Sequence, residues 1–266
     1  MTSVIHKSPD PYTDPNITKL YRDPLLNKGS RFLFDFLDGY GNPNADGALA
    51  PGATFKNLVD GGGDAVLLAG SGGTSGTIAV ANAANKAGIT STGQTGNLTS
   101  PPLILLGNPQ SIGANPALLI LWIKTLANSF QGGAAMDDVV SASGAAGTVQ
   151  WAYSFYLAAG AQTFQPGTRV QGSTLVGPLL PAAPGAVRQI AMSISGGTVQ
   201  AFVNGVAAGS ATGAANPVGD TGNPPRLNLG QAGTFYRAYM ERLDLSGRTA
   251  LAAVQADYAA NSARFA

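Results

Sequence analysis

Apolar residues recur along this chain at two spacings, and the places where each holds predict its elements. From Arg31 the spacing is two. Phe32, Phe34 and Phe36 fall on one face of an extended strand, with Leu33, Asp35 and Leu37 on the other. Residues 118–123 form a continuous apolar run. Val149, Trp151, Tyr153, Phe155 and Leu157 alternate with Gln150, Ala152, Ser154 and Tyr156, and both stretches fit strands with a face in a sandwich core. A meander follows: Ile190, Met192 and Ile194 alternate with Ala191 and Ser193, Gly196-Gly197 turns the chain, and residues 198–203 run back. Asn204-Gly205 then makes a second turn, since both residues accept the positive φ of a type I′ hairpin. Residues 226–229 and 235–245 read as the last strands, with Met240, Leu243 and Leu245 facing the core and a bulge between Met240 and Leu243. Only at the end does the spacing become helical. Thr249 caps a helix at about 249–263, with Leu251, Val254 and Tyr258 on one face and alanines between them. That face would pack on a flat surface, either this chain's own sandwich or a neighbour's.

Two regions lack strong periodicity. Residues 39–115 are rich in Gly, Asn, Thr and Pro, but a structureless stretch of that length is unusual in a compact domain. The apolar islands at 65–68, 78–80 and 103–106 therefore predict short strands inside it. Residues 1–30 are punctuated by Pro9, Pro11, Pro15 and Pro24, each of which biases its predecessor to extended geometry. Two readings of this stretch stand: a disordered tail, or an arm that docks on a neighbouring subunit through Ile17, Leu20, Tyr21, Leu25 and Leu26. The expected organisation is an arm over 1–30 and a sandwich with its terminal helix over 31–266.

Composition narrows the function. Charged residues make up 11% of the chain, against roughly 25% in ordinary soluble domains. The net charge is +1 with no basic run, which argues against nucleic acid as a partner. No apolar run approaches the ~18 residues of a membrane span, and residues 1–10 hold no apolar core of a secretory signal. With 36 glycines and many alanines, the surface is expected to be neutral and weakly hydrated, as in a packed subunit.

Catalytic chemistry is hard to assemble from these residues. Glu241 is the only glutamate, so the paired carboxylates of a glycosidase cannot be two glutamates. A hydrogen-bond acceptor, or a salt bridge to Arg242 or Arg237, is its expected role. The one histidine is His6, cysteine is absent, and Gly61-Gly62-Gly63 precedes Asp64 where a phosphate loop needs lysine. No cofactor is expected. Calcium would have to use Asp35, Asp38, Asp46, Asp60, Asp64, Asp137 or Asp138, which form no spaced calcium loop. For a sugar, Tyr40, Phe130, Tyr156, Phe164 and Tyr236 are the candidate stacking platforms, with Trp122 and Trp151 reserved for the core.

The last third of the chain resembles the laminin-G/concanavalin A-like superfamily. Val187-Arg188-Gln189-Ile190-Ala191-Met192-Ser193-Ile194 looks like that family's strand before its turn. Gly196-Gly197-Thr198-Val199-Gln200-Ala201-Phe202-Val203-Asn204-Gly205-Val206 is similar to its strand, Asn-Gly turn and apolar restart. Tyr239-Met240-Glu241-Arg242-Leu243-Asp244-Leu245-Ser246-Gly247-Arg248 looks like its closing strand, which in that family is commonly followed by a short helix. The resemblance implies an all-β, antiparallel two-sheet jelly-roll sandwich, a fold that hosts lectins, glycanases and structural modules. Together with the arm, the neutral surface and the scarcity of catalytic groups, it leads to an expected non-catalytic virion structural protein. That protein would be a phage capsid decoration or tail-associated subunit, assembled in the host cytoplasm and bound to other virion subunits and to copies of itself. The alternative is a carbohydrate-binding module or adhesin that takes a surface glycan.

Overall fold

The alternating phenylalanines of residues 32–36 do form a strand, and its two faces lie in two different cores. The structure, a computed structural model, describes residues 23–70, 77–80, 88–92, 102–110, 115–125, 137–142, 149–158, 161–170, 176–181, 183–214, 224–229 and 232–265. For 137–142, 149–158 and most of 161–170 it describes the backbone alone.

Two antiparallel sheets make up the described fold. Sheet one runs in the order β15 (Val206–Thr212), β14 (Thr198–Val203), β13 (Val187–Ser195), β8 (Ala117–Thr125), β17 (Ala232–Arg242), β6 (Ile89–Thr92), β5 (Ile78–Val80) and β2 (Gly47–Ala48). β1 (Ser30–Asp35) also pairs with β17. Sheet two runs β12 (Leu180–Pro181), β11 (Ala161–Val170), β10 (Val149–Ala158), β9 (Asp137–Ala142), β16 (Arg226–Asn228), β7 (Leu103–Leu105), β4 (Ala65–Leu68) and β3 (Thr54–Phe55). The chain folds as the expected all-β jelly-roll sandwich with a helix at its C-terminal end.

The sheets enclose the larger core. Phe32, Phe34, Leu119, Leu121, Ile190 and Met240 from sheet one meet Phe55, Leu67, Ile104 and Leu227 from sheet two. A run of rings joins the layers: Phe32 to Phe34 at 5.7 Å, Phe34 to Phe36 at 6.4 Å, and Phe36 edge-on to Phe55 at 5.3 Å.

Sheet one is covered on its other face too. The helix α2 (Ala250–Phe265) lies there, and Leu33, Leu118, Ile120, Trp122, Ala191, Phe202 and Tyr239 pack against Ala253, Val254 and Phe265. Burial on both faces is why 118–123 is apolar at every position rather than at alternate ones. The helix thus packs on its own sandwich. Its buried stripe is Ala253, Val254, Asp257, Asn261 and Phe265, while Leu251 is exposed and Tyr258 half-buried.

Both turns of the meander are as the sequence requires. Gly196 and Gly197 have φ of 54° and 75°, Asn204 and Gly205 of 50° and 80°, the paired positive values of type I′ hairpins. The islands at 65–68 and 78–80 are β4 and β5, and 103–105 is β7.

Three expectations are corrected. The closing strand ends at Arg242, and Leu243 and Leu245 belong to the single turn α1 (Leu243–Ser246), stopped by Gly247 at φ 74°. The bulge falls earlier. Phe235 pairs with Ile123 and Arg237 with Trp122, so Tyr236 is the extra residue and it faces the helix side along with Arg237. Leu25 and Leu26, read as anchors for a neighbour, are 2% and 6% exposed and sit in the core beneath α2, because residues 23–27 fold back onto sheet one. Ile17, Leu20 and Tyr21 lie outside the described residues.

Thr249 Oγ1 accepts a hydrogen bond from Ala252 N at 3.2 Å, capping α2 as expected. Thr249→Ala is expected to lower unfolding free energy by about 1 kcal/mol in chemical denaturation, with the fold retained.

Candidate functional site

Two polar assemblies stand out in this low-charge chain, one buried and one exposed, and they do different work. The buried one crosses sheet one as a row. Asp35 on β1 is opposite Arg237 on β17, Arg237 is opposite Trp122 on β8, and Trp122 is opposite Gln189 on β13. Period-two geometry turns all four to the helix side, where Asp257 of α2 meets them. Asp257 accepts from Trp122 Nε1 at 2.6 Å, Gln189 Nε2 at 2.7 Å and Arg237 Nε at 3.1 Å. Asn261 Nδ2 adds a donor at 3.0 Å. Arg237 Nη1 also reaches Asp23 at 2.9 Å and Asp35 at 3.0 Å, and Arg264 Nη1 reaches Asp35 at 2.8 Å. Burial works against the Arg237 charge, but Asp257, Asp23 and Asp35 outweigh it and hold the guanidinium protonated. These carboxylates are all engaged with arginines, so the row has the chemistry of a clamp and not of an acid–base pair.

A second buried group sits one step along β17. Glu241 accepts from Tyr239 Oη at 2.9 Å and from Arg248, with Asn27 Nδ2 at 3.3 Å. The expected structural role of Glu241 holds, but its charge partner is Arg248; Arg242 pairs with Asp244 instead. Burial pushes the Tyr239 phenol up, and the Glu241 charge adds to that, against the opposing pull of Ser30 and Arg248.

The exposed assembly lies where the chain leaves β1. Asp35 Oδ1 accepts from Leu37 N and Asp38 N, both at 3.1 Å, which bends the chain. Asp38 Oδ1 then accepts from Tyr40 N at 2.8 Å and Gly41 N at 3.0 Å. Buried Asn42 donates to Phe36 O at 2.9 Å and holds the loop from inside. The result presents Tyr40 at 50% exposure.

Beside it runs the segment after β3. Lys56 N donates to Gly41 O at 2.8 Å, and Lys56 Nζ pairs with Asp64 Oδ2 at 2.5 Å. The hydrogen bond that Lys56 donates to Asp64, and then the charge of Asp64, push the Lys56 ammonium up, and the nearby Tyr40 adds to this. Asn44 Nδ2 donates to Asn42 Oδ1 at 3.0 Å and to Thr54 O at 2.9 Å. The Gly61-Gly62-Gly63 cluster is a packed turn here and not a loose one. A Cβ on Gly62 would lie 2.3 Å from Asn57 Nδ2, and one on Gly63 2.5 Å from Asn108 Oδ1. An exposed aromatic ring thus stands near the Lys56 ammonium, which Asp64 holds.

The other residues named from sequence are dispersed. Tyr236 is 6% exposed against Phe265, so it is no platform. Phe130 lies outside the described residues, and Tyr156 and Phe164 are placed by backbone only, on β10 and β11. Asp46 and Asp60 are exposed, and Asp137 and Asp138 begin β9. Among the described residues no group of three or more His, Cys, Asp or Glu is placed to hold a metal ion. A cleft of about 230 Å³ lies between the sheet edges near β2 and β4, walled by Leu49, Pro51, Leu67, Leu68 and Ile78.

No protein-family model matches the chain, and no curated protein matches it in sequence. Solved structures do share its fold. It is similar to the sialidase of Trypanosoma rangeli at TM-score 0.52 and 7% identity, over 88% of this chain and 33% of that one. The receptor-binding domain of botulinum neurotoxin D matches at TM-score 0.52 and 9% identity, over 88% and 53%. Domain 4 of AbnA, an extracellular arabinanase of Geobacillus stearothermophilus solved with arabinotriose, matches at TM-score 0.50 and 18% identity, over 87% and 99%. Against the sialidase this chain spans about a third of the matched length, and against the toxin domain about half. At these identities the likeness establishes the β-sandwich and nothing finer.

Two outcomes test the buried groups. Arg237→Met leaves Asp23, Asp35 and Asp257 without their shared cation and is expected to destabilise the fold by about 3–5 kcal/mol in urea unfolding. Tyr239 has a folded-state pKa above its unfolded value, so its contribution is complete below about pH 10 and is lost as pH rises further. Between about pH 9 and about pH 11 the wild type should therefore lose more stability than Tyr239→Phe, read from denaturation midpoints.

Proposed function

We propose that this chain is a non-catalytic β-sandwich module that binds a carbohydrate at the Tyr40 loop. One observation carries the reading: an exposed tyrosine ring on a loop whose backbone Asp38 holds, beside the Lys56–Asp64 pair. A pyranose or furanose has apolar C–H faces and a rim of hydroxyls. The ring of Tyr40 suits the faces, while the Lys56 ammonium donates to the rim and the Asp64 carboxylate accepts from it. The shared fold of a receptor-binding toxin domain and of an arabinanase domain solved in complex with arabinotriose supports this reading over a purely structural one.

Binding without turnover fits the carboxylates. Hydrolysis of a glycoside generally needs two of them flanking the bond. Glu241 and Asp257 are buried against arginines, and Asp64 holds Lys56. The role of a virion subunit expected from sequence rests on the 1–30 arm, the absence of cysteine, the scarcity of catalytic side chains and the neutral Gly/Ala surface. A glycan-binding module displayed on a virus particle is compatible with these features.

The test is a glycan array followed by calorimetry with the best ligand, including arabino-oligosaccharides and sialylated glycans. Tyr40→Ala should weaken binding at least about tenfold, the equivalent of ~1.4 kcal/mol, and leave the melting temperature nearly unchanged. An array without hits, or a Tyr40→Ala variant that binds as well as wild type, would reject the assignment.

A further inference from the structure

Sheet edges leave backbone donors and acceptors unpaired, and a long, flat, uncharged edge invites another strand. Among the described residues most edges of this sandwich are blunted. β2 in sheet one, and β3 and β12 in sheet two, are two residues each, and β12 ends in Pro181, which has no N–H to offer. The free side of β1 is covered, with Leu58 N bonding Leu33 O at 2.9 Å and Leu33 N bonding Asn57 Oδ1 at 3.0 Å.

β15, the outer strand of sheet one, is longer. Its seven residues, Val-Ala-Ala-Gly-Ser-Ala-Thr, carry no charge and no proline, and all but Ala211 are exposed. One guard is present. Gly209 pairs with Ala201 and Ala207 with Phe202, so Ala208 is a bulge, but residues 209–212 continue in regular register. An apolar shoulder stands beside the strand. Pro178 Cβ lies 3.0 Å, and Leu180 Cδ2 3.9 Å, from where a Cβ on Gly209 would be. Between them Leu179 is 59% exposed, and Val206 at the strand's start is 65% exposed.

We infer that β15 is a self-association edge: a second copy of the chain adds its own β15 antiparallel, continuing sheet one across a two-fold axis. Isologous pairing sets a strand against itself, so it suits a segment that makes no like-charge contact with its own residues. Residues 206–212 meet that condition, and 207–211 are all small, so neither face of the joined sheet is crowded. A charged peptide would find no counter-charge on this strand. One strand with Leu179 and Val206 falls short of the roughly 800 Å² per partner of a standard interface, so the dimer is weak and concentration-dependent.

Sedimentation equilibrium of the full chain, without sugar, from about 5 to about 500 µM tests this. A monomer–dimer equilibrium is expected, with β15 amides gaining protection from hydrogen exchange as concentration rises. Ser210→Lys brings two ammonium groups together near the axis and should weaken dimerisation at least about tenfold. Ala208→Lys serves the same purpose should Ser210→Lys fail to fold. A chain monomeric over the whole range overturns the inference, as does a dimer that neither substitution weakens. Neither result bears on the Tyr40 assignment, which is read in the sugar titration.

Discussion

A carboxylate buried among alanines sets the architecture of one whole side of this protein. Asp257 comes from an alanine-rich helix, and it meets three donors from three adjacent strands: Trp122, Gln189 and Arg237. A desolvated carboxylate with no partners would cost several kcal/mol, so the helix has one registration on the sheet that satisfies it. Apolar contacts from Val254 and Phe265 supply adhesion without choosing a position. The charge network chooses it. Asp23, joined to the same arginine, fixes the approach of the segment that brings Leu25 and Leu26 beneath the helix.

Sheet one is in consequence the middle layer of three, and its composition reflects that. β8 is apolar on both faces, β17 alternates inter-sheet residues such as Ala238 and Met240 with helix-side residues such as Tyr239, and β13 carries Gln189 where a hydrophobic residue would be expected. Sheet two has a more open role, closing the inter-sheet core with Phe55, Leu67, Ile104 and Leu227. The tight glycine turns do their work at the perimeter, where Gly62 and Gly63 admit the amides of Asn57 and Asn108.

Much of the sandwich was legible because its signals are local. Phe32, Phe34 and Phe36 declare period two; Asn204-Gly205 fixes a turn type; Thr249 announces a helix start. Strands of two residues such as β2 and β3 have no period to read. The bulge at Tyr236 was hidden because it depends on which residue of β8 lies opposite. Asp257 and Asn261 looked like ordinary polar positions in an alanine-rich helix, although their spacing of four, continued through Phe265, places them on one stripe. The Tyr40 surface was less legible still. Its parts come from residues 38–44 and 56–64, and nothing in either stretch alone shows that the Gly41 carbonyl meets the Lys56 amide.

Asp35 belongs to both assemblies. One of its oxygens holds Arg237 and Arg264, the latter from the last turn of α2, and the other receives the two amides that begin the Tyr40 loop. A single side chain is thus the hinge pin between the terminal helix and the exposed ring. The loop and the last turn of the helix are therefore anchored on one carboxylate, so removing it would take away the bonds of both at once.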